Sequence, residues 1–205
     1  MLDYLSGAIR ISLVTFVICG FAYPLAVTAV GQLIMPYQAN GSIETAAGRI
    51  VGSRLIGQQW SDPKWFHGRP SATVAPDPQD PTKNVEAPYN AANTTASNLG
   101  PTSKVLEERL RADRKTLDEA QPELASEPLP ADMLTASASG LDPDITPANA
   151  SLQVARVANA RGVPPEQIAA LVRKHVTPRS LWIFGEPRVN VLELNIALEE
   201  AFPGK

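Results

Sequence analysis

Two aspartates, Asp142 and Asp144, stand one residue apart just ahead of a predicted helix start at Thr146. Paired carboxylates of this kind can divide acid and base roles or hold a hard cation. They equally suit a turn whose negative charges face the positive end of the following helix, and that is the reading preferred from sequence. His67 and His175 lie far apart and the single cysteine, Cys19, sits in an apolar stretch, so the usual ligand set for zinc is missing. No metal site is expected. His175, near a predicted helix end, is expected to cap carbonyls or face the core. Arg156 and Arg161 could reach a carboxylate or phosphate, although arginines on a helix surface ordinarily just hydrate. Gln153, in mid-helix, reads by itself as an exposed polar residue. Trp60, Trp65 and Phe66 cluster beside the turn Gly68-Arg69-Pro70 and read as core, with an interface anchor as the alternative.

Motifs with a known mechanism are absent. There is no glycine loop ending in Lys and Ser or Thr to cradle phosphates, no dinucleotide-binding fingerprint and no Gly-x-Ser-x-Gly elbow. A net charge of −3 argues against a nucleic-acid partner.

The elements that must position these residues begin with an anchor. No Asp, Glu, Lys or Arg occurs between Ile11 and Ile43, and the apolar run Ile11–Met35 exceeds the roughly 20 residues that a spanning helix needs. A cleaved signal peptide would have a shorter apolar core. The chain is therefore read as residues 1–10 cytoplasmic, 11–35 a transmembrane helix and 36–205 a soluble extracytoplasmic domain, with lipid as one partner. Arg10 and the amino terminus before the helix, with no cation after it until Arg49, set that orientation.

Within the domain, Ile43–Gly57 mixes β-branched residues and glycines and predicts short strands with tight turns. Residues 73–102, rich in Pro, Asn, Ala and Thr, read as a long irregular loop. Helices are predicted over 104–119, from Thr146 to Gly162 with Thr146 as N-cap, Pro147 in the first turn and Gly162 behind the last, and from Pro165 onward. Leu181-Trp-Ile-Phe184 reads as a short buried strand. Asn190 and Glu193 have capping-box spacing for a final helix. The fold class is mixed α/β: one N-terminal transmembrane helix plus one compact domain with long proline-rich loops, consistent with 19 prolines.

Several segments, taken in order, resemble one family. They are Gly52-Ser-Arg-Leu-Ile-Gly-Gln58, Trp65-Phe-His-Gly-Arg-Pro-Ser-Ala72, Tyr89-Asn90, Ser97-Asn-Leu-Gly-Pro101, Thr135-Ala-Ser-Ala-Ser-Gly-Leu-Asp-Pro143, Gln153-Val-Ala-Arg-Val-Ala158 and Gly185-Glu-Pro-Arg-Val-Asn-Val191. Behind one N-terminal span, this set resembles the C subunit of the bacterial potassium-transporting Kdp ATPase. One departure is Ala92-Asn-Thr-Thr-Ala96, where that family is rich in glycine and serine.

The resemblance implies a non-catalytic accessory and assembly subunit in the bacterial inner membrane. Its implied partners are a potassium-channel-like subunit, a P-type ATPase subunit and a small single-span subunit. No cofactor is implied to bind tightly, and ATP would be met only through the complex. The family's proposed role as a catalytic chaperone for ATP carries over to Gln153 as a nucleotide contact. The expected interface and fold-defining residues are Trp65, Phe66, Arg69, Asn90, Asn98, Gly140, Asp142 and Arg188. The rival reading is an anchored envelope hydrolase using Asp142 and Asp144.

Overall fold

The computed structural model describes residues 2–203, and the chain divides into two compact units, Met1–Ser53 and Arg54–Lys205. The charged amino terminus used above for orientation lies outside the described residues.

In the first unit, helix α1 (Leu2–Val17) runs through a π-helical turn at Ile18–Ala22 into α2 (Tyr23–Ile34). The stretch Tyr4–Ile34 is 31 residues long with a mean hydropathy of 2.1, long and apolar enough to cross a membrane. At about 1.5 Å per residue it reaches roughly 46 Å, beyond the ~30 Å hydrocarbon core of a bilayer. Helix α1 starts nine residues earlier than the apolar run because Tyr4, Leu5 and Ile9 continue the pattern and Arg10 does not interrupt a helix. The π turn has a local cause. Pro24 has no N–H for the carbonyl four residues back, and its ring crowds that turn. The helix widens instead, and the Tyr23 N–H reaches the Ile18 carbonyl.

A short helix α3 (Pro36–Ala39) leads to an antiparallel hairpin, β1 (Ile43–Ala46) and β2 (Arg49–Ser53). Its two-residue turn puts Ala47 at φ 49° and Gly48 at φ 75°. That backbone twist matches the twist of the flanking strands.

The second unit corrects one expectation at once. Residues 73–102 are not wholly irregular, because β3 (Val74–Pro76) and β4 (Asn84–Glu86) pair antiparallel. Their connection is closed by side chains: Asp77 accepts the Gln79 N–H at 2.8 Å and Asp80 accepts the Thr82 N–H at 3.2 Å. Helix α4 (Lys104–Ala120) follows, capped by Ser103 and laced by the Arg111–Glu107 pair at 2.6 Å; it contains no buried residue.

The core assembles from the last third of the chain. It comprises β5 (Asp144–Ile145), α5 (Pro147–Arg161), α6 (Pro165–Lys174), β6 (Val176–Thr177), β7 (Arg188–Asn190) and α7 (Val191–Ala201). β7 is central, with β5 and β6 antiparallel on either side. Val154 and Val157 of α5, Ile168 and Val172 of α6, Leu194 and Leu198 of α7, and Ile145, Val189 and Phe66 form one apolar cluster. Local signals end these helices as expected: Thr146 accepts the Asn149 N–H at 3.1 Å and Gly162 closes α5 at φ 65°. At α7 only half of the capping box forms. Asn190 accepts the Glu193 N–H at 3.1 Å, while the Glu193 carboxylate pairs with Arg54 at 2.8 Å.

Leu181–Phe184 is not a buried strand. It is an exposed turn between β6 and β7, because the three-stranded sheet already has its apolar contacts from Ile145 and Val189.

Gly140 and Gly162 separate two costs. Both have positive φ, +72° and +65°, a region worth about 1–2 kcal/mol against a side chain. A Cβ on Gly162 meets open space, whereas one on Gly140 would come to 2.5 Å from Thr73 Cγ2 and 2.8 Å from the Thr95 carbonyl. Denaturant unfolding should therefore show Gly162→Ala losing ~1 kcal/mol and Gly140→Ala losing at least about twice that. Equal losses would contradict the packing at Gly140.

Candidate functional site

The segment Trp60–Ser71 belongs to no helix or strand, so its backbone groups must find other partners. Two side-chain amides supply them. Asn195, from α7, accepts the Phe66 N–H and donates to the Phe66 carbonyl, both at 2.9 Å. Gln153, from α5, does the same to the next residue, accepting the His67 N–H at 2.8 Å and donating to the His67 carbonyl at 3.0 Å. Each amide acts as a one-residue β-partner. Gln153 also accepts from Arg156 Nη2 at 2.7 Å and donates to Asn149 Oδ1 at 2.7 Å. An amide offers two donors and two lone pairs, so all of Gln153's capacity is used inside the chain. At 3% exposure it is a buried tie and not the exposed polar residue that its mid-helix position suggested.

The arginines are buried likewise. The Arg161 side chain is 1% exposed and pairs with Glu199 at 2.9 Å. It also donates to the carbonyls of Lys64 at 2.9 Å and Phe202 at 2.6 Å. Its guanidinium lies 4.5 Å from the Trp65 ring centroid, and Trp65 stacks at a tilt on Trp60 at 5.1 Å. Trp65 is thus a half-buried cation–π platform, while Phe66 is wholly buried core. Arg156 donates to the carbonyls of Pro63 and Trp65 as well as to Gln153. Desolvation brings it down to about 10, so it remains charged at neutral pH. Burial, seconded by the Arg156 charge, holds His67 below the ordinary histidine range.

The carboxylates are each engaged. Asp142 pairs with Arg69 at 2.9 Å and accepts the Asp144 N–H at 3.1 Å. Asp144 pairs with Arg188 at 3.1 Å. Burial and the neighbouring Asp142 charge push its carboxyl up, against the pull of Arg188. Asp132, which no sequence motif marks, accepts from the Thr146 N–H, the Thr146 hydroxyl and Asn149 Nδ2 at 2.7, 3.0 and 3.0 Å.

The remaining expected positions shape loops. The Tyr89 hydroxyl donates to the Arg69 carbonyl at 2.7 Å, and burial pushes that phenol up to about 12. Asn90 donates to the Val74 carbonyl at 2.8 Å and accepts the Ala92 N–H at 3.0 Å. Asn98 is exposed at φ 52° and joins none of this. His175 Nδ1 lies 3.0 Å from the Leu171 carbonyl at the end of α6, where its ring N–H donates to that oxygen.

His67, Arg69, Tyr89, Gln121, Gln153 and Arg156 line a cleft of about 360 Å³. A second cleft of about 360 Å³ is lined by Arg69, Asp132, Asp142, Asp144 and Arg188. Among the described residues, no three His, Cys, Asp or Glu side chains gather as a metal ion would need. The first cleft presents Arg69 and Arg156, whose Nε atoms, like Gln121 Oε1, have no partner; the second presents ion pairs already matched within the chain, Arg69–Asp142 and Arg188–Asp144.

Replacing Gln153 by Leu strands the His67 N–H, its carbonyl and Nη2 of Arg156. The variant should lose about 3 kcal/mol in denaturant unfolding, and a loss under ~1 kcal/mol would refute the tie. His67 gives a pH signature. Because its folded value lies below the unfolded one, the unfolded chain takes up the proton first. Stability should fall as pH drops below about 6.5. His67→Gln should flatten that part of the curve; parallel curves for the two proteins would contradict it.

Comparison with known proteins finds relatives over nearly the full chain. The family model described as "KdpC: K+-transporting ATPase, c chain" matches residues 5–200. A relative from Bradyrhizobium diazoefficiens named "Potassium-transporting ATPase KdpC subunit" is 53% identical over 201 residues, covering 98% of each chain. One of the same name from Rhodopseudomonas palustris is 53% identical over 203 residues, 99% of this chain and 100% of the relative. Another, from Methylobacterium nodulans, is 48% identical over 200 residues and 98% of each chain. The chain belongs to the KdpC family, the c chains of K+-transporting ATPases.

Proposed function

We propose that this component of a potassium-transporting ATPase is its non-catalytic accessory and assembly subunit. The observation that carries the reading is saturation: the side chains best suited to chemistry are bound to their own chain. Gln153 has no hydrogen-bonding position left over, and Asp142 and Asp144 each face an arginine. Such a domain offers partners a rigid surface. The long apolar helix supports a membrane anchor, and its exposed apolar side chains await lipid or partner helices.

In this reading the N-terminus is cytoplasmic and the domain extracytoplasmic, as Arg10, on the N-terminal side of the uncharged run, favours. The partners are a channel-like potassium subunit, a P-type ATPase subunit and a small single-span subunit, and the domain stabilises the first two. ATP acts through the complex. A catalytic-chaperone effect on ATP affinity would then work through subunit contacts, because a nucleotide at Gln153 would have to displace one of its four partners. The aspartate motif phosphorylated in P-type pumps, Asp-Lys-Thr-Gly, does not occur in the chain.

The test is purification of the tagged chain from its native membrane in mild detergent, with mass spectrometry of what accompanies it. A P-type ATPase and a channel-like potassium protein should co-purify in fixed ratio, and trimming the chain away should cost the complex its integrity. A pump that stays intact and active without this chain would refute the assembly role.

A further inference from the structure

Each carbonyl of a helix points along the axis and needs an N–H from the next turn. In the long apolar helix the π turn takes these donors away. The Cys19 carbonyl would take the N–H of Tyr23, which goes instead to Ile18. The next residue, Pro24, has no N–H to offer it, and none for the Gly20 carbonyl either. The N–H of Leu25 is the last within reach of Gly20, and the Phe21 carbonyl competes for it. Three carbonyls thus share one backbone donor, and that of Cys19 has none.

The side chains of the turn do not fill the gap. Ile18, Gly20, Phe21 and Ala22 carry no polar group, and the Cys19 thiol is a weak donor. Phe16 and Phe21 stack edge to face on each other at 5.5 Å, and a Cβ on Gly20 would touch only the Phe16 ring, at 3.7 Å. Depth then decides what can fill it. Cys19 is the middle residue of Tyr4–Ile34. It also lies eight residues beyond Ile11, where the uncharged run begins, or about 12 Å along the helix. Lipid tails at that depth bring no donor, and an unpaired carbonyl among them is costly. The occupant must therefore bring a polar hydrogen of its own. A chain that belongs to a multichain ATPase has other subunits to supply it.

We propose that the π turn Ile18–Ala22 is a docking point inside the bilayer for a transmembrane helix of another subunit. That helix places a hydroxyl, amide or indole side chain where it donates to the Cys19 and Gly20 carbonyls. The proposal rests on the reading of Tyr4–Ile34 as a membrane span. Pro24 is then the residue that opens the site, and Gly20 leaves room for a second backbone beside it.

Cys19 is the only cysteine of the chain, so cysteine labelled with carbon-13 at its carbonyl reports on this one position. The infrared band of that carbonyl is read in lipid bilayers, for the full chain alone and after assembly with the unlabelled subunits of the pump. The expected result is a move to lower wavenumber on assembly, as a carbonyl shows when it gains a donor. Pro24→Ala restores the missing N–H, so its band should lie low in both states. That change favours the helix, so the variant still spans the bilayer. The partner subunits it retains in mild detergent should nonetheless fall about threefold or more, the worth of one interhelical hydrogen bond in a membrane. A band that stays in place on assembly overturns the proposal, as does a Pro24→Ala chain that keeps its partners in full. A low band in the wild-type chain alone also overturns it, assigning the donor to water or to a second copy. Release of the chain from membranes by alkaline carbonate would instead overturn the span on which the proposal rests.

Discussion

The backbone of Phe66 and His67 crosses the domain without a neighbouring strand, and four polar groups left unpaired there would cost roughly 1–3 kcal/mol each. Asn195 and Gln153 satisfy all four, one amide to each residue, from two different helices. The consequence is geometric. Once these two peptides are tied to α5 and α7, the Phe66 side chain has to enter the core between those helices. Trp65 then lies where Arg161 can stack on it, and Arg69 lies where it meets Asp142. An irregular segment thereby acquires the precision of a strand. The same tie fixes one wall of the cleft that His67 and Arg156 line.

This arrangement explains why residues that look chemical in the sequence are structural here. A buried arginine needs carbonyls or carboxylates around it, and Arg156 and Arg161 find theirs in the loop Pro63–Trp65 and at the end of α7. The aspartates before α5 serve the loops: Asp142 organises the approach to β5, and Asp144 links it to Arg188 of β7. A domain with its polar groups spent in this way holds a surface still.

What was legible in the sequence was local. Thr146, Pro147 and Gly162 mark α5 because caps act over three or four residues, and the anchor is legible because lipid demands a long uncharged run. The ties were not legible, since Gln153 lies 86 residues from His67 and Asn195 lies 129 residues from Phe66. Nothing near Asn195 distinguishes a buried amide from a solvated one. Leu181–Phe184 misled for a related reason: four apolar residues in a row describe a buried strand and an exposed tip equally well, and only the filled sheet decides. The hairpin at Val74–Glu86 escaped notice because Asp77 and Asp80, not apolar alternation, close it. The ordered set of short motifs did carry the family, and several of them prove to be pieces of the tie or of the ion pairs around it.

The most direct measurement is amide hydrogen exchange at Phe66 and His67 in the intact chain. If the two side-chain amides hold this segment, both N–H groups exchange only with global unfolding, as slowly as the amides in mid-α5, although they lie in no helix or strand. Exchange at the rate of an open loop, with α5 and α7 still protected, would contradict it.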